Sequence, residues 1–204
     1  MKYLIVIILF TNLIFSQEKS LIQIAYNSLK SGNYENAITN YSKSIEIYNK
    51  YAPAYFGRGV AYYHLGQYRQ ALLDFNKALE LDKNLKSVYY NRGLAYGMLN
   101  DYNNAIKDLN EFLLYEPNNI DALYSRANIY YFMEDDLKAL ADYDQVLKIK
   151  PDYGLAYYGK AIIYKFQKKY DLALRNFDEY LKYNDNKDNL KSEVLRLIKE
   201  IEEQ

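Results

Sequence analysis

Residues 52–85 contain the run Ala52-Pro-Ala-Tyr-Phe-Gly-Arg-Gly-Val-Ala-Tyr-Tyr-His-Leu65, then Gly66-Gln-Tyr68, then Arg69-Gln-Ala-Leu-Leu-Asp-Phe-Asn-Lys-Ala-Leu-Glu-Leu81. In the first part Tyr55, Gly59 and Tyr62 share one face at helical spacing. In the second, Ala71, Leu72, Phe75, Ala78 and Leu79 do the same, the i, i+3, i+4, i+7 pattern of an amphipathic helix. The short link around Gly66 predicts that the two helices lie antiparallel.

The same unit recurs along the chain. Ala37, Ala71, Ala105, Ala139 and Ala173 are each 34 residues apart, a period that marks a solenoid of repeated supersecondary units. Aligning on these alanines divides the chain into units at 17–51, 52–85, 86–119, 120–153 and 154–187, with a tail at 188–204. Small residues also recur on the first helix of each unit, at Ala25, Gly59, Gly93, Ala127 and Ala161. The tail places apolar side chains at Leu190, Val194, Leu197, Ile198 and Ile201. It therefore reads as an amphipathic helix covering the open end of the last repeat.

Several further positions repeat with this period. Near the start of the first helix stand Leu21, Tyr55, Tyr89, Leu123 and Tyr157. In its middle stand Tyr62, Tyr96, Tyr130 and Tyr164, with Ser28 departing. At the turn stand Tyr34, Tyr68, Tyr102 and Tyr170, with Asp136 departing. On the second helix come Tyr41, Phe75, Tyr143 and Phe177, with Leu109 in the third unit, and Pro117 and Pro151 close two of the units. Together these positions resemble the tetratricopeptide repeat family over essentially the whole chain after residue 16. The resemblance implies an all-α, right-handed solenoid of five helix-turn-helix repeats plus a C-terminal capping helix. Phe112 and Tyr180 occupy a position where the family prefers a small residue, so local widening or tilting of the packing is expected there.

Composition narrows the functional classes. The 26 basic and 26 acidic residues cancel, so no bulk field draws the chain to nucleic acid or an anionic membrane. Cysteine is absent, which excludes disulfides, thiol catalysis and cysteine-ligated metal. The single histidine, His64, makes a histidine metal site improbable and reads as a groove-rim side chain. Glu134-Asp135-Asp136 reads as a solvated turn, since no further oxygen-ligand spacing accompanies it. With no nucleophile, metal set or phosphate loop in view, the expectation is a protein that is not an enzyme and uses no cofactor.

At the N-terminus, Met1-Lys2 precedes an apolar run from Tyr3 to Phe10, then Thr11-Asn12, Leu13-Ile-Phe15 and Ser16. This fits a signal peptide over residues 1–16, cleaved before Gln17. At about 13 residues the apolar run falls short of the roughly 20 needed to span a bilayer. The expected product is periplasmic or secreted, with no membrane span in the mature chain. The competing reading is an uncleaved anchor.

Two side-chain series stand out. Arg58, Arg92, Arg126 and Lys160 recur with the repeat, and Asp74, Asp108 and Asp142 follow 16 residues behind the arginines, with Asn176 after the lysine. Acid and base are absent together from the first unit. The pairing expected is a structural ion-pair ladder fixing helix register, either within a repeat or from each aspartate to the next repeat's base, as in Asp74 with Arg92. An anion-binding stripe is the functional alternative.

The second series comes from the resemblance, which implies that first helices line a concave surface. The positions facing it would include Phe56, Tyr90, Tyr124 and Tyr158. One turn on come Val60, Leu94, Asn128 and Ile162, then Tyr63 and Tyr131. Rigid aromatics are good peptide anchors because ordering them costs little entropy, and packing is the competing role. The basic clamp with which one family subtype grips chaperone tails is missing, since the corresponding places hold Phe56, Val60, Ser87, Asn91 and Asp121. The expected function is an exported interaction or scaffold protein that binds a protein or peptide, not nucleic acid, through this aromatic groove. A glycan or small-ligand receptor and a structural spacer in an envelope assembly are the alternatives.

Overall fold

The computed structural model describes residues 20–184 and 190–203. The expected signal segment at 1–16 lies outside these. The described residues form eleven helices and no strand: α1 (20–30), α2 (Tyr34–Ile47), α3 (Ala52–His64), α4 (Tyr68–Leu81), α5 (Lys86–Met98), α6 (Tyr102–Tyr115), α7 (Ile120–Phe132), α8 (Asp136–Ile149), α9 (Gly154–Phe166), α10 (Tyr170–Tyr183) and α11 (Lys191–Glu202). No helix among them is long and apolar enough to cross a membrane. They fall into two compact units, one ending at Asp108 and the other beginning at Leu109.

In the first unit α2, α3, α4 and α5 pack in succession, and α3 also touches α5. Ala25, Ala37, Ala54 and Ala61 bury completely beside Tyr41, and Ala71, Ala78 and Val88 bury beside Phe75. These alanines admit neighbouring helices to within ring-packing distance, which a larger side chain would prevent. Gly59 is tighter still. A Cβ there would lie 2.7 Å from the Phe75 ring, so the small-residue series follows from the second-helix aromatic.

In the second unit α7, α8, α9 and α10 pack in succession, with α7 touching α9, and α11 packs on α10. Val194, Leu197 and Ile201 of α11 bury in one cluster with Ala161, Ala173, Phe177 and Tyr180. Lys165 of α9 reaches Glu200 of α11 at 3.1 Å. Tyr180, at the position expected to be small, is fully buried. Gly154 lies beside it without crowding, since an added Cβ would stand at an ordinary contact distance of 3.7 Å from its ring.

The inter-helix turns share one geometry. Gly32, Gly66, Asn100, Glu134 and Lys168 all take positive φ, between 58° and 77°. In each turn the amide one residue later bonds back to the final turn of the helix, at 2.9 Å: Asn33 to Ser28, Gln67 to Tyr62, Asp101 to Tyr96, Asp135 to Tyr130 and Lys169 to Tyr164. This is the left-handed helix cap that glycine favours, supplied in the last three turns by asparagine, glutamate and lysine. Two of the opposite links are tied by tyrosine hydroxyls, Tyr55 donating to the Asn49 carbonyl at 3.1 Å and Tyr157 to the Pro151 carbonyl at 3.2 Å.

Candidate functional site

The charged series forms a ladder inside the second, third and fourth repeats. Arg58 donates from Nε and Nη2 to the two oxygens of Asp74, both at 2.8 Å. Arg92 does the same to Asp108 at 2.7 and 2.8 Å, and Arg126 to Asp142 at 2.7 Å twice. Of the two pairings open in the sequence, the structure has the one within the repeat, and Asp74 bonds Arg58 rather than Arg92. The aspartates are buried, at 3–7% exposure, and the forked geometry satisfies both carboxylate oxygens. The Asp74 hydrogen bond, opposed by burial, holds the Arg58 guanidinium above its usual value. Tyrosine rings flank the bases, with Tyr55 5.7 Å from Arg58 and Tyr89 5.8 Å from Arg92.

Each base also makes a third contact, 16 residues upstream on the preceding second helix. Nη1 donates from Arg58 to Ser42 at 2.9 Å, from Arg92 to Asn76 at 2.7 Å and from Arg126 to Asn110 at 2.7 Å. In the fifth repeat the acid changes sides. Asn176 stands downstream and bonds the Leu172 carbonyl, while Lys160 pairs upstream with Asp144 at 2.5 Å. The series Ser42, Asn76, Asn110, Asp144 has the repeat period and was open to detection in the sequence.

All ten first-helix residues assigned to the groove are half-buried. Three of the rings rest on the second-helix aromatic of their own repeat: Phe56 on Phe75 at 6.0 Å, Tyr124 on Tyr143 at 5.9 Å and Tyr158 on Phe177 at 6.3 Å. Tyr63 leans on Tyr68 at 5.4 Å.

The structure gathers some of these residues around cavities and leaves others apart. In the second unit Tyr124, Asn128, Tyr131, Tyr158 and Ile162 line one cavity of 240 Å³. In the first unit Phe56 and Val60 line another, of 320 Å³. Tyr63, Tyr90 and Leu94 line neither. Neither cavity has a charged side chain in its wall.

The sequence reading missed what lies at the cavity floors. Tyr143 reaches through to the groove side and donates to Asn128 Oδ1 at 2.5 Å. Its ring approaches α9 where Gly159 stands, and a Cβ there would lie 2.4 Å from Tyr143 Cζ. Burial, followed by Tyr124, Tyr131 and Asp142, raises the Tyr143 hydroxyl far above the ordinary phenol range. Tyr41 and Gly57 repeat this arrangement in the first unit, with a hypothetical Cβ 2.3 Å from Tyr41 Cζ. Burial, then Tyr26 and Tyr51, push the Tyr41 phenol up to about 12. The signal was available. Glycine stands 16 residues after the second-helix aromatic where that aromatic is Tyr41 or Tyr143, whereas Asn91 follows Phe75 and Ser125 follows Leu109.

The acidic turn is structural. Glu134 supplies the positive φ, Asp135 caps α8 by accepting from the Lys138 amide at 3.3 Å, and Asp136 accepts from Gln167 at 2.7 Å. His64, expected at the groove rim, stacks on Tyr34 of the preceding turn at 4.7 Å, the two rings 8° from parallel, and meets Tyr63 edge-on at 5.8 Å. The flat exposed faces of imidazole and phenol bury each other there.

Models of the tetratricopeptide repeat match residues 52–85, 87–119 and 120–153, and a TPR repeat model matches residues 28–66. No curated protein matches the sequence. Among solved structures, the chain is similar to MamA from Desulfovibrio magneticus RS-1, with 18% identity over 85% of this chain and 98% of that one at a TM-score of 0.79. A tetratricopeptide repeat protein from Parabacteroides merdae ATCC 43184 is 21% identical over 91% of this chain and 72% of its own, at 0.77. YrrB, described as a TPR protein with an unusual peptide-binding site, is 20% identical over 96% and 98%, at 0.76. These likenesses establish the helical solenoid of helix-turn-helix repeats.

Proposed function

Because this chain belongs to the tetratricopeptide repeat family, we propose that it is an exported interaction module holding a protein or peptide partner on the first-helix faces of its repeats. The observation that carries this reading is the cavity formed by Tyr124, Asn128, Tyr131, Tyr158 and Ile162, apolar in its walls and marked by one amide. Such a concave, largely apolar site with a few placed polar groups suits a ligand. Recognition rests on shape and on aromatic anchors already held against core rings, so little order is created on binding. The similar fold of YrrB, whose described property is a peptide-binding site, agrees with this assignment.

The test is an array carrying both peptides and glycans, probed with the wild-type protein and with a Tyr90→Ala, Tyr124→Ala, Tyr158→Ala triple variant. Retention on peptides that the triple variant loses, with helical circular dichroism intact, is the expected result. Retention on glycans alone transfers the site to a glycan receptor, since tyrosine faces also stack on sugars. Undiminished peptide retention by the variant moves the binding surface elsewhere. N-terminal sequencing of the protein recovered from cells tests export, for which a chain starting at Gln17 is expected.

A further inference from the structure

The two cavities are built alike. Tyr41, Phe56, Gly57 and Val60 of the first correspond to Tyr143, Tyr158, Gly159 and Ile162 of the second, each displaced by three repeats. In both, a buried phenol passes through the space left by a glycine and brings its hydroxyl to the floor of an aromatic-walled hollow. Nothing in helix packing requires this. A phenylalanine at the same place, Phe75, fills its core without a hydroxyl and is followed by Asn91 rather than glycine.

The polar groups at the two floors are differently occupied. Tyr41 is 4% exposed and lines its cavity, yet its hydroxyl has no hydrogen-bond partner among the described residues. The hydroxyl itself is not sealed in the core and faces the hollow, where an occupant can accept from it. In the second cavity Tyr143 is satisfied by Asn128 Oδ1, which leaves the Asn128 amide nitrogen as the open donor. Tyr26 stands at the equivalent place in the first cavity. Each hollow thus offers a hydrogen-bond donor at its floor, beside the hydroxyls of its wall tyrosines, within uncharged walls. A charged occupant would lose its hydration there with no counter-charge to replace it.

We infer that the two cavities are equivalent sites, one in each unit, each receiving one uncharged side chain whose tip accepts a hydrogen bond, such as glutamine or tyrosine. The protein therefore carries two sites for the same short peptide motif. This rests on the peptide-binding reading above and specifies its partner, a chain bearing that motif more than once.

The experiment titrates the isotope-labelled full chain with N-acetylglutaminamide and N-acetyltyrosinamide, following the backbone amide signals of Gly57 and Gly159. Expected are shifts at both glycines with dissociation constants within about threefold of each other, and at least tenfold weaker binding of N-acetyllysinamide and of the charged glutamate analogue, a difference of about 1.4 kcal/mol. Tyr41→Phe, which removes an oxygen and adds no bulk, should weaken the first site by about threefold to tenfold and leave the second unchanged. Gly57→Ala should close the first site alone, with circular dichroism checking the fold.

Shifts at one glycine only, equal binding of the charged probes, or indifference of the first site to Tyr41→Phe would each overturn the assignment. If the array retains peptides and neither glycine responds to the probes, the twin sites fall and the interaction module stands. If both glycines respond and the array retains no peptide, the peptide partner falls and takes this assignment with it.

Discussion

Arg92 holds Asp108 by two parallel bonds of 2.7 and 2.8 Å, and its remaining nitrogen reaches Asn76 on the preceding second helix. One guanidinium thus links the second helices on either side of it. Asp108 is 3% exposed, so removing its partner leaves a buried charge without compensation. Arg92→Ala is expected to destabilise the protein by about 3 kcal/mol, while the double variant Arg92→Met, Asp108→Leu should recover most of that loss. Urea unfolding of the two variants and the wild type measures both. A single variant as mild as a surface pair, under about 1 kcal/mol, would mean the ladder is solvated.

The five left-handed turns are filled by two glycines and three side-chain residues. Holding a side chain in that region costs about 1 kcal/mol or more, while glycine loses extra entropy on folding. Lys168→Gly and Glu134→Gly are each expected to stabilise by about 0.5–1 kcal/mol, and Gly66→Val to destabilise by more than that. Thermal melts of the three variants provide the check.

Ser44 is completely buried, and its hydroxyl makes no hydrogen bond. It sits where the second and fourth repeats carry Ala78 and Val146, also fully buried. Ser44→Ala removes an unsatisfied group at nearly constant volume and should stabilise by about 1 kcal/mol. A loss of stability in denaturant titration would show that the hydroxyl has a partner after all.

High pH is expected to unfold the chain through its buried phenols. Tyr41 is held neutral up to about 12, and Tyr143 is raised further, whereas tyrosine in an unfolded chain ionises near 10. The folded state therefore keeps protons that the unfolded state gives up. Stability from these groups is complete below about pH 10 and falls as pH rises toward 12, by up to about 1.4 kcal/mol per pH unit for each group. Following fluorescence-detected unfolding against pH in wild type and in Tyr41→Phe tests this. The variant should lose stability less steeply over the same interval.

The repeat was legible because helix packing imposes the same small and aromatic residues each time it recurs. The alanine series, the aromatic series and the Arg58–Asp74 spacing all follow from one contact geometry, so a single aligned copy exposed them. What escaped the reading depends on the third dimension. The turn residues Asn100, Glu134 and Lys168 share a backbone angle with Gly66 and nothing in side-chain chemistry, so identity concealed the pattern. The family resemblance put Tyr124, Asn128 and Tyr158 on one helix face, but the hollow they line depends on Tyr143 emerging from the opposite helix past Gly159. The stacking of His64 was hidden because its partner, Tyr34, belongs to the preceding repeat.

Helix α11 places Val194, Leu197 and Ile201 against the cluster that ends the fifth repeat, and the Lys165–Glu200 bond pins it there. It occupies the seat that the first helix of a sixth repeat would take. An array left open at that seat would offer a sticky end to the next molecule, and chains could then grow head to tail without limit. With α11 in that seat, the apolar face of the fifth repeat is covered from within the chain rather than presented to a neighbour.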